Sequence, residues 1–420
     1  MSFIVLPEYK KAINSIINNP VTFLSGPAGS GKSTFIRYIR SKIENSILMA
    51  PTGIAAINIK GRTIHSVLKI PPKFIISEDI RRLNADERKF LKATSLIIID
   101  ETSMVSSNLM DAIDESLRKN TGVDKPFGGI HILLVGDLFQ LPPIVGNDIE
   151  KIYYEFYDSP MFYDSSIIKS LIESKQFEFI RLNNVLRQKD NHFIDILNNI
   201  RIGNKVNESI DLLNSLVDYK PIAPKGYVQI TPYNEVSEVT NNRNLVAIDS
   251  PLKTYFGKVC GKFNQKNFPV PQSLSLKVGA QVMITKNLSP SIVNGTVGTV
   301  KKLCEDHIYV YTNDEDDVKI EFVKWEEQGH SMVDGKYKSS VIGTYSQLPI
   351  KLAWSMTIHK VQSATIQKLY IDMDKGAFAP GMLYVALSRA VSLDGLILSK
   401  PLLYDDVIVD SSVLEFYNCF

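Results

Sequence analysis

Cysteine is scarce in this chain: Cys260, Cys304 and Cys419 are the only three, far apart and never in a C-x-x-C pair. That excludes a disulfide framework and a clustered zinc site. Long hydrophobic runs are missing too, since no apolar stretch approaches the ~18 residues needed to span a bilayer, and no basic segment leads into an apolar one at the N-terminus. A soluble, unexported chain with no membrane partner is expected. Charge of one sign is also lacking, with 47 Lys and Arg against 45 Asp and Glu, a net of +2. Any polyanion groove must therefore be local and lean on backbone amides. What remains is ordinary globular composition, 44% hydrophobic and 22% charged over 420 residues, which excludes disorder and allows two to four domains. No oligomerisation element stands out, so a monomer is the default.

The apolar run Val21-Thr22-Phe23-Leu24 reads as a buried parallel strand, and it leads into Gly26-Pro27-Ala28-Gly29-Ser30-Gly31-Lys32-Ser33-Thr34. This matches G-x-x-x-x-G-K-[ST] at every position, and Phe35, Ile36, Ile39 and Ile43 then recur at helical spacing. Strand, glycine loop and helix together make a phosphate cradle: glycines let amides converge on phosphate oxygens, and the helix N-terminus adds partial positive charge. In that reading all nine residues bind nucleotide, Lys32 reaches the β and γ phosphates, and Ser33 ligates Mg²⁺. A chance match in a structural turn is the competing reading.

A second strand, Ser95-Leu96-Ile97-Ile98-Ile99, delivers Asp100 and Glu101 at its carboxyl end, where ligands bind in open α/β sheets. Asp100 suits a metal held through water, and Glu101 suits polarisation of an attacking water. A third apolar run, Ile130 to Val135, ends in "GDLFQLPP" (Gly136 to Pro143). Gln140 there is either a surface loop residue or a γ-phosphate sensor, and Pro142 and Pro143 stiffen the loop so that a lost contact moves the chain beyond it.

With those residues in place, a series of further stretches resembles the Pif1 group of superfamily 1 DNA helicases, in the branch that also holds RecD and Dda. They are "APTGIAAINIKG", "TIHS", "DAIDESLRKNTGVDKPFGGIHILLVGD", "LNNVLRQ", "VGAQVMITKN", "VNGTVGTV", "LAWSMTIHKVQSAT" and "YVALSRA", in the family's order over nearly the whole chain. The resemblance implies an ATP-dependent helicase and translocase that binds single-stranded DNA, moves 5′ to 3′, and opens forked or tailed duplex, with G-quadruplexes and RNA:DNA hybrids as further substrates. It implies ATP and Mg²⁺ as cofactors and, for a prokaryotic or viral source, a cytoplasmic, nucleoid-associated place. Lys32, Asp100, Glu101, Gln140, Arg187 and Arg389 become the catalytic set, the two arginines reaching across a cleft from a second lobe. Gln362 and Ser363 join the nucleotide contacts. Three positions depart from the family: Lys10 stands where an adenine-reading glutamine is usual, Ser363 replaces a glycine, and Asn183 replaces a threonine.

The implied fold class is α/β, with two RecA-like domains, a small wedge insertion and an SH3-like β-barrel insertion. The first RecA-like domain is expected over 1–66 and 93–181, the wedge over 67–92, the second domain over 182–249 and 342–420, and the barrel over 250–341. Strand-period alternation in "HIYVY" and "VKIEF", around the acidic turn 313–317, supports the barrel independently. DNA contacts carried over from the family are Thr52, His65 and Ser66, with Pro71 and Phe74 on the wedge, Thr231, His359 and Lys360 on the second domain, and Asn294 and Gly295 on the barrel. Each histidine is otherwise a satisfied structural one, and Pro71 and Phe74 otherwise belong to a plain surface loop. Rival classes are a P-loop kinase or GTPase, a DNA-binding accessory protein without a motor, and a translocase that does not unwind.

Overall fold

The computed structural model describes residues 7–420, apart from 147–148, 184, 186–187, 189, 266–267, 287, 290–291, 293, 313–316, 334–335 and 363, and gives backbone alone at 54, 328–333 and 336–340. Arg187 and Ser363 lie outside the described residues.

Six parallel strands form the first sheet, in the order Arg62–Thr63, Ser46–Ala50, Leu96–Ile99, His131–Gly136, Val21–Ser25, Phe177–Arg181. The apolar runs are continuous because both faces are covered. Alternate residues feed two separate cores. Phe23, Met49, Ile97, Ile99, Ile132 and Leu134 face one, whereas Leu24, Leu48, Ile98, Leu133 and Val135 face the other, against Phe35, Ile36 and Ile39 of the helix Lys32–Lys42. The helix Pro7–Asn18 closes that second core with Tyr9, Ala12 and Ile16, while Ile17 on its other side is 66% exposed.

The 67–92 segment folds down onto the first lobe. Ile70, Ile75, Ile80, Leu83, Phe90 and Leu91 join its core. Two asparagines of the helix Ser107–Thr121 pin the irregular part: Asn108 accepts from Ile75 N (2.8 Å) and donates to Ile75 O (2.9 Å), and Asn120 accepts from Leu83 N (2.7 Å).

A second parallel sheet runs Ser355–Thr357, Val228–Thr231, Leu369–Ile371, Leu396–Leu398, Asp218–Tyr219. Helices Asn191–Ile202 and Met382–Leu387 pack into its core through Phe193, Ile196, Leu197, Leu383 and Val385. Between Val228 and Ser355 the chain makes an antiparallel five-stranded sheet, Val318–Glu321, His307–Thr312, Val297–Leu303, Gln281–Ile284, Ile350–Leu352, and a hairpin of Val323–Val333 with Lys336–Gln347.

Two expected boundaries shift. The division at 341/342 falls inside the strand Lys336–Gln347, and Ile350–Leu352 still pairs with Gln281–Ile284, so the β insertion extends to Leu352. Alternation marks strands but not where their partners end. The last helix, Ser411–Asn418, packs on the first lobe and not the second. Val413, Phe416 and Tyr417 sit in the first lobe's core, and the Phe416 ring stacks on Tyr163 at 4.2 Å. No helix among the described residues is long and apolar enough to cross a membrane.

Candidate nucleotide site and nucleic-acid contacts

The strand Val21–Ser25 is buried throughout and stops at Gly26. Gly31 then turns the chain with φ 93°, a left-handed conformation that a side chain disfavours, and caps the helix Lys32–Lys42. Its carbonyl accepts from Thr34 N (2.9 Å), Phe35 N (3.0 Å) and the Tyr9 hydroxyl (3.0 Å). Lys32 Nζ donates to the carbonyls of Gly26 (2.7 Å) and Pro27 (2.9 Å). Burial pushes the Lys32 pKa down, against the opposing pull of Asp137, Glu101 and Asp100.

Asp100 and Glu101 follow the fully buried strand Leu96–Ile99. Asp100 is buried, accepts from Glu101 N (2.9 Å), and has its pKa pushed up to about 7 by burial and by the neighbouring Glu101. Glu101 is raised too, by burial, with Lys32 and Arg389 pulling it back. Its φ of 52° is uncommon for a residue with a Cβ. Thr102 fixes that turn: its hydroxyl lies 3.0 Å from the carbonyls of Ile99 and Val135 and accepts from Val135 N at 3.1 Å.

The second lobe reaches this edge at several points. Gln362 Nε2 lies 3.3 Å from both Glu101 Oε2 and Gln140 Oε1, so the partner of Gln140 is an amide from across the cleft. Arg389 is 1% exposed, and donates to Val385 O (2.9 Å), Ala364 O (3.3 Å) and Ser388 Oγ (2.7 Å). A cavity of about 300 Å³ is lined by Ala28 to Thr34 of the cradle together with Glu101, Gln140 and Arg389. Lys32, Ser33, Glu101, Gln140 and Arg389, expected to act together, thus meet around one space. Three residues that the sequence leaves unassigned join the two lobes next to this space: Asp137, fully buried, Arg201, which pairs with it at 2.7 Å, and Tyr384, whose hydroxyl donates to it at 3.1 Å.

The residues expected at DNA follow strand ends on both lobes. Thr52 caps the helix Gly53–Asn58 by accepting from Ala55 N (3.2 Å). His65 is half-buried, its Nδ1 3.1 Å from Ile70 O, with its pKa lowered by burial. Ser66 donates to Thr63 O (2.9 Å). Thr231 is fully buried. One exposed ring has no assignment from the sequence: Phe378, 55% exposed, lies 5.5 Å from the Tyr233 ring and 6.5 Å from the His359 ring. Lys360 is exposed next to them. Burial lowers the His359 pKa. Asn294 is half-buried, and at Gly295 an added Cβ would stand 2.4 Å from Thr365 O. In the 67–92 segment Pro71 is half-buried, and Phe74 packs edge-on against Tyr153 (5.9 Å) and beside Phe156 (5.9 Å), which is 68% exposed.

Comparison with known proteins bears on this geometry. The family described as PIF1-like helicase matches residues 7–210, and the DNA helicase Pif1 2B domain matches residues 263–303. The ATP-dependent DNA helicase Pif1 of Bdellovibrio bacteriovorus is 31% identical over 99% of this chain and 92% of its own length. Two Bacteroides Pif1 structures, each 34% identical and matched over 100% of this chain and 97% of their own, superpose with TM-scores of 0.89 for the unliganded form and 0.72 for the form bound to single-stranded DNA. The chain spans between 56% and 64% of the length of the fungal and frog PIF1 proteins it matches.

Proposed function

The chain belongs to the Pif1 family of DNA helicases, and from that premise we propose that it is an ATP-dependent DNA helicase moving 5′ to 3′ along single-stranded DNA and opening forked or tailed duplex. Its reach into G-quadruplexes and RNA:DNA hybrids is part of the same reading. One observation carries it: the cradle, Glu101 and Gln140 of one RecA-like lobe share a cavity with Arg389 of the other. Charge developing on a transferred phosphoryl group needs donors already aimed at it, and a cation from a second lobe meets that need only when the cleft is shut. Closure is then the step that moves DNA.

The residues divide the work. The Gly26 to Thr34 loop wraps phosphate oxygens, with the amides of Gly29, Gly31, Lys32 and Ser33 as donors, since those of Gly26, Ala28, Ser30 and Thr34 already donate within the protein, and Lys32 transfers its hydrogen bonds from the Gly26 and Pro27 carbonyls to phosphate. Ser33 and Asp100 are hard oxygen donors of the kind Mg²⁺ takes alongside phosphates. When bound, the ion supplies neutralising charge. Glu101 orients and deprotonates water, and Gln140 donates from Nε2 to the γ-phosphate while its Oε1 accepts from Gln362. Arg389, and Arg187 from the LNNVLRQ stretch, stabilise the transition state. Gln362 links the sensor to the second lobe, and Ser363, next in sequence, is assigned to the nucleotide by the family's motif.

For DNA we assign Thr52, His65 and Ser66 on one lobe, Thr231, His359 and Lys360 on the other, and Asn294 and Gly295 on the β insertion, which we read as the SH3-like barrel. The exposed Phe378 ring adds a stacking surface. Pro71 and Phe74, backed by the Phe156 ring, form the wedge. A strand-separation assay with ATP and 5′-tailed or 3′-tailed duplexes tests the whole reading. The 5′-tailed substrate opens and the 3′-tailed one does not. Lys32→Ala opens neither. Equal opening of both tails would remove the polarity, and hydrolysis by Lys32→Ala at the wild-type rate would remove the motor.

A further inference from the structure

Asp137 has no part in the chemistry proposed for the site, yet it is fully buried at the lobe interface. Arg201, on the helix Asn191–Ile202 of the second lobe, donates to it from Nε (3.0 and 3.1 Å) and Nη2 (2.7 Å). The Tyr384 hydroxyl donates to Asp137 Oδ2 at 3.1 Å and accepts from Ala28 N at 2.9 Å. One phenol oxygen therefore ties the phosphate loop to the end of the strand His131–Gly136, and both to the second-lobe helix Met382–Leu387 on which Tyr384 sits.

That helix leads directly into Arg389. The guanidinium is fixed by it, since Nε donates to Val385 O and Nη2 to Ser388 Oγ. The helix starts hard against the GDLFQ loop: Gly381 has φ 72°, and an added Cβ would lie 2.3 Å from Phe139 O and 2.8 Å from Gln140 O. With Nη1 also donating to Ala364 O (3.3 Å), the arginine is held chiefly by this helix, and Tyr384 anchors the helix with two buried hydrogen bonds. One of those is to a carboxylate, which makes it among the stronger kinds.

Resting on the ATPase reading above, we propose that Tyr384 is a positioning residue for hydrolysis: its hydroxyl, seated between Ala28 N–H and Asp137, holds the helix Met382–Leu387 so that Arg389 enters the phosphate cavity. It touches no reacting atom, so it acts on the transition state and not on ground-state nucleotide binding.

The test compares wild type, Tyr384→Phe, Gly381→Ala, Arg389→Ala and the two double variants carrying Arg389→Ala. ATP turnover is measured with saturating oligothymidylate, and binding of a fluorescent ADP is measured with and without aluminium fluoride. Tyr384→Phe and Gly381→Ala each lower kcat on the order of tenfold while leaving KM for ATP and ADP affinity within about twofold of wild type. Both weaken the ADP–aluminium fluoride complex in proportion to kcat. On the Arg389→Ala background neither causes a further loss, because what they position is gone. Multiplicative losses in the double variants, an equal loss of ADP and ADP–aluminium fluoride affinity, or unchanged kcat in both single variants would each overturn the proposal. Wild-type turnover by Arg389→Ala instead overturns the role given to that arginine, a separate failure that strikes the motor reading itself.

Discussion

Removal of Arg201 is the perturbation whose consequences are worked out most fully by the structure. Arg201→Ala deletes three hydrogen bonds to Asp137 and a guanidinium lying 4.4 Å over the Phe139 ring. Asp137 stays behind with no exposed surface, keeping the Tyr384 hydroxyl and the more distant Lys32 charge. Breaking one side of a buried pair costs ~3–5 kcal/mol, because the remaining charge is desolvated without compensation. Here the pair bridges two lobes, which can part and let water in, so about 3 kcal/mol is expected, or roughly 6 to 12 °C in Tm for a lobe of this size. The pH dependence carries a sign. In the wild type burial alone would raise the Asp137 pKa, but the charge and hydrogen bonds of Arg201, with Lys32 and Tyr384, more than reverse this and hold it below the ordinary carboxylate range. Its contribution is then fully present above about pH 4 and is lost only as pH falls through the depressed folded value. Without Arg201, burial dominates and the folded pKa rises above the unfolded one. The ionised carboxylate then costs stability at neutral pH, and acid relieves it. Thermal denaturation between pH 5 and pH 8 should show the gap between wild type and variant widest at the alkaline end and narrowing toward acid. A gap that is flat across that range, or smaller than ~1 kcal/mol, refutes the reasoning. Asp137→Leu combined with Arg201→Met, which replaces both charges with apolar bulk, should recover most of the loss.

Two further outcomes are expected. Phe416→Ala empties a site in the first lobe's core, where the ring is 7% exposed and stacked on Tyr163, and should cost ~3–5 kcal/mol in guanidinium denaturation; a loss below ~1 kcal/mol would mean that the C-terminal helix does not belong to that core. At the edge proposed to face DNA, Phe378→Ala should remove ~1–3 kcal/mol of oligothymidylate affinity with the salt slope unchanged, whereas Lys360→Ala should lower the slope by about one. Anisotropy titrations over a range of salt separate the two, and a change of slope in the Phe378 variant would reject stacking there.

What could be read in the sequence was what is local. The cradle is legible because a continuous apolar run, glycines and a helical repeat lie side by side between Val21 and Ile43, and each constrains its neighbours within a few residues. Asp100 and Glu101 are legible for the same reason: polar residues that abruptly end a buried strand mark a sheet's carboxyl edge. Contacts between distant segments are another matter. Gln140 had a role suggested for it, but that its amide meets Gln362 depends on how two lobes face each other. Arg201 reads as an ordinary cation in the last turn of an amphipathic helix, where it would complement the helix dipole; nothing local says that its guanidinium is buried against a carboxylate in the other lobe.

The last helix makes the same point about apolar faces. Val413, Phe416 and Tyr417 fall at helical spacing and announce a buried stripe, but periodicity carries no address. Chain order suggested the second lobe, and the ring-to-ring fit with Tyr163, Phe23 and Phe179 of the first lobe prevailed. Because this helix leaves the second sheet and ends in the core of the first, the two lobes are joined twice in sequence, once after the strand Phe177–Arg181 and again ahead of Ser411. The Tyr417 ring sits within 4.8 Å of Phe139 and 5.9 Å of the Arg201 guanidinium, so the second connection reaches the same GDLFQ loop that Arg201, Tyr384 and Gln362 grip. A loop held from that many sides transmits displacement in place of absorbing it, as the sensor role proposed for Gln140 requires.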